Sequence, residues 1–166
     1  MSNHEELVHM TVKGLMLDPV SNVPMLILRD EEGNRFLPIW IGVAEANAIA
    51  IKLEGVEVPR PMTHDLTLGL LTRLGAEVVQ VVVNDLSQST FFAQLVLRTP
   101  DGELNIDCRP SDGIALALRA EVPILVAPSV LEKAKHDQMT SRFSDKEKIK
   151  KYLEELDEDD LGEYTM

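Results

Sequence analysis

One cysteine in 166 residues, Cys108, leaves no partner for an internal disulfide. That absence sets the chain apart from small secreted folds held by staples and fits a reducing compartment. Aromatics are also scarce, with one Trp, two Tyr and four Phe. So few argue against a surface of interleaved basic and aromatic side chains dedicated to nucleic acid. Apolar stretches such as Val78–Val83 are far too short to span a bilayer, so no membrane association is expected. The opening MSNHEELVHM has neither a basic n-region nor an apolar h-region. No secretory signal is therefore expected, and the chain is predicted to be cytoplasmic. Positive charge is in deficit: 16 Lys and Arg stand against 28 Asp and Glu, a net charge of −12. Counterion release by Lys and Arg drives nonspecific binding to duplexes, so tight duplex binding is disfavoured unless a local basic groove or a metal ion intervenes. Diagnostic motifs are missing too: no CxxC pair, HExxH, EF-hand loop, Walker A loop or GxGxxG after a strand.

What remains is an ordinary globular balance, 45% hydrophobic and 27% charged, at a length that suits one domain with an adequate core. Strands are expected over Val8–Leu17, Val23–Arg29 and Arg35–Ile41, separated by the turn signals Asp18–Asn22 and Asp30–Asn34. The pattern then becomes helical and alanine-rich over Val43–Leu53, whose polar members are only Glu45, Asn47 and Lys52. A connector ending in Pro59-Arg60-Pro61 precedes a helix over Leu66–Leu74. Thr63 is placed to cap it, with Asp65 in its first turn and Gly75 as its stop. The order then repeats, with strands Glu77–Leu86, Phe91–Arg98 and Glu103–Cys108 and a helix Pro110–Arg119, with Ser111 as a candidate N-cap. A strand over Glu121–Ala127, a short helix Pro128–Lys135 and a linker Gln138–Phe143 complete the first 143 residues.

The halves align. Leu28-Arg29 falls on Leu97-Arg98 and Gly33 on Gly102; after two residues are dropped, Glu45-Ala46 falls on Asp112-Gly113. Duplication is one reading, and chance similarity between two strand-strand-helix units is the other. The expected fold is α+β: a mixed, mainly antiparallel sheet from two related hairpin-strand-helix halves, with packed helices. Residues 1–137 would form the domain, and 138–166 a linker and an acidic helix. That helix opens on the capping box Ser144-Asp145-Lys146-Glu147 and carries Ile149, Tyr152, Leu153 and Leu156 on one face. It would dock on the body or bind a protein partner. The smooth, Ala-rich helices and the Pro38–Ile41 strand suggest a homodimer.

Three strings stand out. They are Leu37-Pro38-Ile39-Trp40-Ile41-Gly42 followed by Glu45-Ala46; Arg60-Pro61-x-Thr63-His64-Asp65; and Ile106-Asp107-x-Arg109-Pro110-Ser111-Asp112-Gly113-Ile114-Ala115. In order and spacing they resemble the bifunctional nuclease domain family over roughly Met10 to Lys135. Gly113 departs from the Ala expected there, loosening a helix turn by at most about 1 kcal/mol. The resemblance implies phosphodiester cleavage in single-stranded or flexible RNA and DNA, assisted by Mg²⁺ or Mn²⁺. Such chemistry needs clustered carboxylates, a base and a cation for the developing charge. Glu45, Asp65 and Asp112 would hold the metal, with Asp107 a further carboxylate in the motif. His64 would act as base, and Arg60 and Arg109 would bind the phosphate.

Each residue also has a plain structural role open to it. Asp65 and Asp112 suit helix starts, and Glu45 could pair with Arg60 or Arg109. His64 could simply be exposed ahead of a helix. Trp40 could stack a base or fill a core or interface. Cys108 could be an activated thiol or a buried apolar residue. The rival to a nuclease is a non-catalytic oligomeric scaffold for a ligand or protein partner, favoured by the negative charge.

Overall fold

The computed structural model describes residues 6–140. The acidic tail helix expected from Ser144 onward lies outside the described residues. Among the described residues, seven segments form strands, in which successive side chains point to opposite faces of the sheet. These are β1 (Val8–Leu17), β2 (Pro24–Asp30), β3 (Phe36–Trp40), β4 (Glu77–Ser87), β5 (Thr90–Thr99), β6 (Gly102–Cys108) and β7 (Ile124–Val126). The helices are α1 (Val43–Leu53), α2 (Thr63–Arg73), α3 (Pro110–Ala120) and α4 (Pro128–Thr140).

All seven strands join one sheet in the order β3-β2-β1-β7-β4-β5-β6. β7 runs parallel to β4, and the other neighbouring pairs are antiparallel. The fold is therefore α+β with a mixed, mainly antiparallel sheet, as the sequence pattern predicts. Because β1 is antiparallel to β7 and β4 parallel to it, the meanders β1-β2-β3 and β4-β5-β6 run in opposite senses on either side of β7. That is the arrangement of two units related by a pseudo-twofold axis normal to the sheet. The corresponding helices α1 and α3 both have 11 residues and begin and end at one constant sequence offset. They also pack against each other.

The core lies between these helices and the sheet. Leu26, Leu28, Leu37, Ile39, Val81, Val83, Leu95 and Leu97 meet Ala46, Ile49, Ile114, Ala115 and Ala117, all buried. Small side chains on α1 and α3 permit the close approach. Gly113 has the same purpose: a Cβ there would come within 3.0 Å of Cys108 Sγ and of Val81 Cγ1. The departure at this position thus has a packing reason that sequence alone did not reveal.

Several boundaries differ from the expectation. Helix α2 starts at Thr63, and the preceding Met62 occupies the cap position. Asp65 rather than Thr63 closes the helix start, because its Oδ2 accepts the Met62 N–H at 2.9 Å. Ser111 is the second residue of α3, buried, and Arg109 stands at the cap. β7 has three residues rather than seven. Helix α4 continues through residues 138–140, where the sequence suggested a linker. Among the described residues, no helix is long and apolar enough to cross a membrane.

Candidate functional site

The pseudo-twofold arrangement brings three helix starts together. Glu45 is the third residue of α1, His64 the second of α2 and Asp112 the third of α3. Arg109, at the α3 cap, lies between the two acids: its Nη2 is 2.8 Å from Glu45 Oε1 and its Nε 2.8 Å from Asp112 Oδ2. The second oxygen of Asp112, Oδ1, is 2.9 Å from His64 Nε2. Four of the six predicted residues therefore form one chain of contacts, Glu45–Arg109–Asp112–His64.

Their exposure is graded. The His64 and Glu45 side chains are mostly buried, Asp112 is partly open, and Arg109 is 64% exposed. Burial pushes the Asp112 carboxyl up, but hydrogen bonds and charge from Arg109 and His64 outweigh it and hold the group below the usual carboxylate range. The same contacts, those to Asp112 first and Glu45 next, raise Arg109 further above its already high value. An ionised Asp112 accepts from His64 Nε2–H. In a neutral imidazole that leaves the lone pair on Nδ1.

Asp65 takes a different place. Its Oδ1 accepts from Arg119 Nε at 2.7 Å while Oδ2 accepts from the Met62 backbone. The Met62 N–H and then Arg119 outweigh burial and lower its pKa. Arg119 is 5% exposed and also donates to the carbonyls of Ala115 and Ala48, so it ties α1, α2 and α3 together. Sequence reasoning passed over Arg119. The available signal was a cation in the last turn of an apolar helix, at the position matching Lys52 in the first half. Arg60 is exposed in the connector, and no hydrogen bond or ion pair among the described residues involves it.

The expected Mg²⁺ or Mn²⁺ set of Glu45, Asp65 and Asp112 does not fit this arrangement. The Arg109 guanidinium stands between Glu45 and Asp112, and Asp65 is committed to Arg119 and the α2 backbone. Among the described residues, no three His, Cys, Asp or Glu side chains group so as to hold a metal ion. Cys108 is not activated. Burial first, then the negative charges of Asp107 and Asp112, push its thiol up to about 11.

Beside Arg109 opens a cleft of about 440 Å³ lined by Trp40, Gly42, Thr90, Phe91 and Ser111 among others. A second depression, of about 640 Å³, lies between α1 and α2 with Asp65 and Arg119 in its wall.

Comparison with known proteins places this geometry in context. The bifunctional nuclease domain matches residues 26–139. An uncharacterized protein of Mycobacterium tuberculosis is 40% identical over 159 residues, covering 90% of this chain and 95% of that protein. Bifunctional nuclease 2 of Oryza sativa subsp. japonica is 30% identical over 128 residues, covering 74% of this chain. Bifunctional nuclease 1 of Arabidopsis thaliana is 28% identical over 123 residues, covering 72%. The aligned regions span 39% and 38% of the two plant proteins.

Proposed function

The chain belongs to the bifunctional nuclease domain family, and from that premise we propose that it hydrolyses phosphodiester bonds in single-stranded or flexible RNA and DNA. The observation that carries the reading is the His64–Asp112 pair lying against Arg109. Asp112 holds the imidazole so that Nδ1 can take a proton from an attacking water. The water oxygen forms a bond to phosphorus, and the bond from phosphorus to the leaving sugar oxygen breaks. That oxygen takes a proton from solvent water, and His64 gives up its own proton to solvent to complete the turnover. Arg109 supplies the planar donor that balances charge on the non-bridging oxygens. Glu45 holds Arg109 in place through Nη2.

The pairing of Arg109 with two carboxylates also favours a second reading, a non-catalytic scaffold in which the same contacts only fasten helix starts. One assay separates the two. Wild type and His64→Ala are purified identically and given labelled RNA and single-stranded DNA in Mg²⁺, Mn²⁺ or EDTA. Cleavage by the wild type and its loss in the variant support hydrolysis. Equal cleavage by both identifies a contaminant and leaves the scaffold. Comparing the cations with EDTA reads whether a divalent ion takes part. Asp65 is left intact, since changing it would loosen α2 and confuse the result.

A further inference from the structure

The chain has few aromatic residues, yet its only Trp and one of its four Phe line the same cleft beside Arg109. We infer that this cleft is a nucleobase subsite, in which Trp40 and Phe91 receive one unstacked base while Arg109 holds the attached phosphate. The inference rests on the nuclease reading above and names the part of the substrate that the cleft would recognise.

The cleft volume, about 440 Å³, falls in the range of small-molecule sites, roughly 300–1,000 Å³. It suits a single nucleotide and not a duplex. Trp40 ends β3 with 38% of its surface exposed. Its indole N–H donates to Asp18 Oδ2 at 2.7 Å. Asp18 is itself 1% exposed and accepts the Val20 and Ser21 N–H groups through Oδ1. Burial raises the Asp18 pKa, but these donors together outweigh it and keep the group ionised. The indole plane is thus fixed before any ligand arrives, which lowers the ordering cost of stacking.

Phe91, partly buried against the core, also lines the cleft and follows the tight β4–β5 turn, where Gln88 and Ser89 both have positive φ, 49° and 58°. A two-residue turn of this kind matches the twist of the strands it joins. Gly42 contributes no side chain to the wall, and Thr90 and Ser111 add hydroxyls that a base edge could meet. Arg109 joins the cleft to the His64–Asp112 pair. Its Nε and Nη2 hold carboxylates, whereas Nη1 makes no hydrogen bond among the described residues and can face a phosphate oxygen. Stacking tolerates any base, so this subsite would select unpaired strands without reading sequence.

The sole Trp makes the test direct. Wild-type emission is titrated with adenosine 5′-monophosphate, a four-nucleotide oligothymidylate, ribose 5-phosphate and inorganic phosphate, correcting for ligand absorbance. The inference expects saturable quenching by the two base-bearing ligands and none by the other two at equal concentration. By calorimetry, Trp40→Ala should bind the oligonucleotide about 5- to 150-fold more weakly, the loss of one stacked base. Trp40→Phe, which keeps an aromatic face, should largely restore binding. Equal quenching by ribose 5-phosphate overturns the subsite, since the base would contribute nothing. Emission that ignores nucleotides but shifts with protein concentration also overturns it, marking the cleft as a contact between copies of the chain. Cleavage without quenching sinks the subsite and leaves the nuclease reading standing. Quenching without cleavage supports the subsite and removes hydrolysis.

Discussion

His64 Nε2 lies 2.9 Å from Asp112 Oδ1 across 48 positions of sequence. The contact spans the start of α2 and the start of α3, and it exists because both helices pack on β4 beside each other. Replacing Asp112 with Asn keeps the shape but removes the charge and can reverse which partner donates. We expect Asp112→Asn to lower cleavage of labelled RNA by about 100-fold, at the lower end of general-base contributions. Far-UV circular dichroism should stay unchanged. An undiminished rate would mean that the pair has no part in the reaction.

Gly42 and Glu45 form a second local dependence. The Glu45 carboxylate folds back over Gly42 so closely that a Cβ there would overlap it. Gly42 has φ −74°, a conformation open to any residue, so backbone strain is not the issue. Gly42→Ala should push Glu45 away from Arg109 and free the guanidinium on one side. The expected result is a severalfold change in KM for oligonucleotide with a folded protein. A crystal structure of the variant that kept the Glu45–Arg109 contact would refute the argument.

Arg119 should matter for stability more than for chemistry. Removing one partner of a well-buried ion pair costs about 3–5 kcal/mol. Asp65 is 32% exposed and keeps its Met62 contact, so the loss should fall at or just below the bottom of that range. Arg119→Met is expected to lose about 2–3 kcal/mol in urea unfolding. A loss below about 0.5 kcal/mol, typical of exposed pairs, would contradict the role assigned to Arg119.

The same pair sets an acid limb. Asp65 has its pKa lowered from the ordinary 3.8, chiefly by the Met62 N–H and then Arg119. A carboxylate lowered in the folded state adds stability that is fully present above 3.8. That stability is lost as pH falls through the folded value. Asp65→Asn should therefore be less stable than wild type at pH 7 and converge toward it as pH drops below 3.8. A difference independent of pH would mean that the carboxylate charge is irrelevant.

Cys108 offers a check on burial. With its thiol pushed up to about 11, it stays protonated at neutral pH. Iodoacetamide at pH 8 should modify it far more slowly in the folded protein than in urea. Comparable rates would show an accessible, activated thiol instead.

Strand positions, the αβ order and the family were legible because they depend on local pattern. Runs rich in Val, Leu and Ile favour extended backbone wherever they pack, and three short strings keep their spacing whatever the tertiary packing. The pairing of Glu45 with Asp112 across two similar halves was visible as an alignment. Tertiary structure decided the rest. The three acids expected to hold a metal were split into two sets by cations whose reach depends on helix packing: Arg109 took Glu45 and Asp112, and Arg119 took Asp65. A linear sequence lists charges, but which charges neutralise one another is set by distances of a few ångströms between elements far apart in the chain.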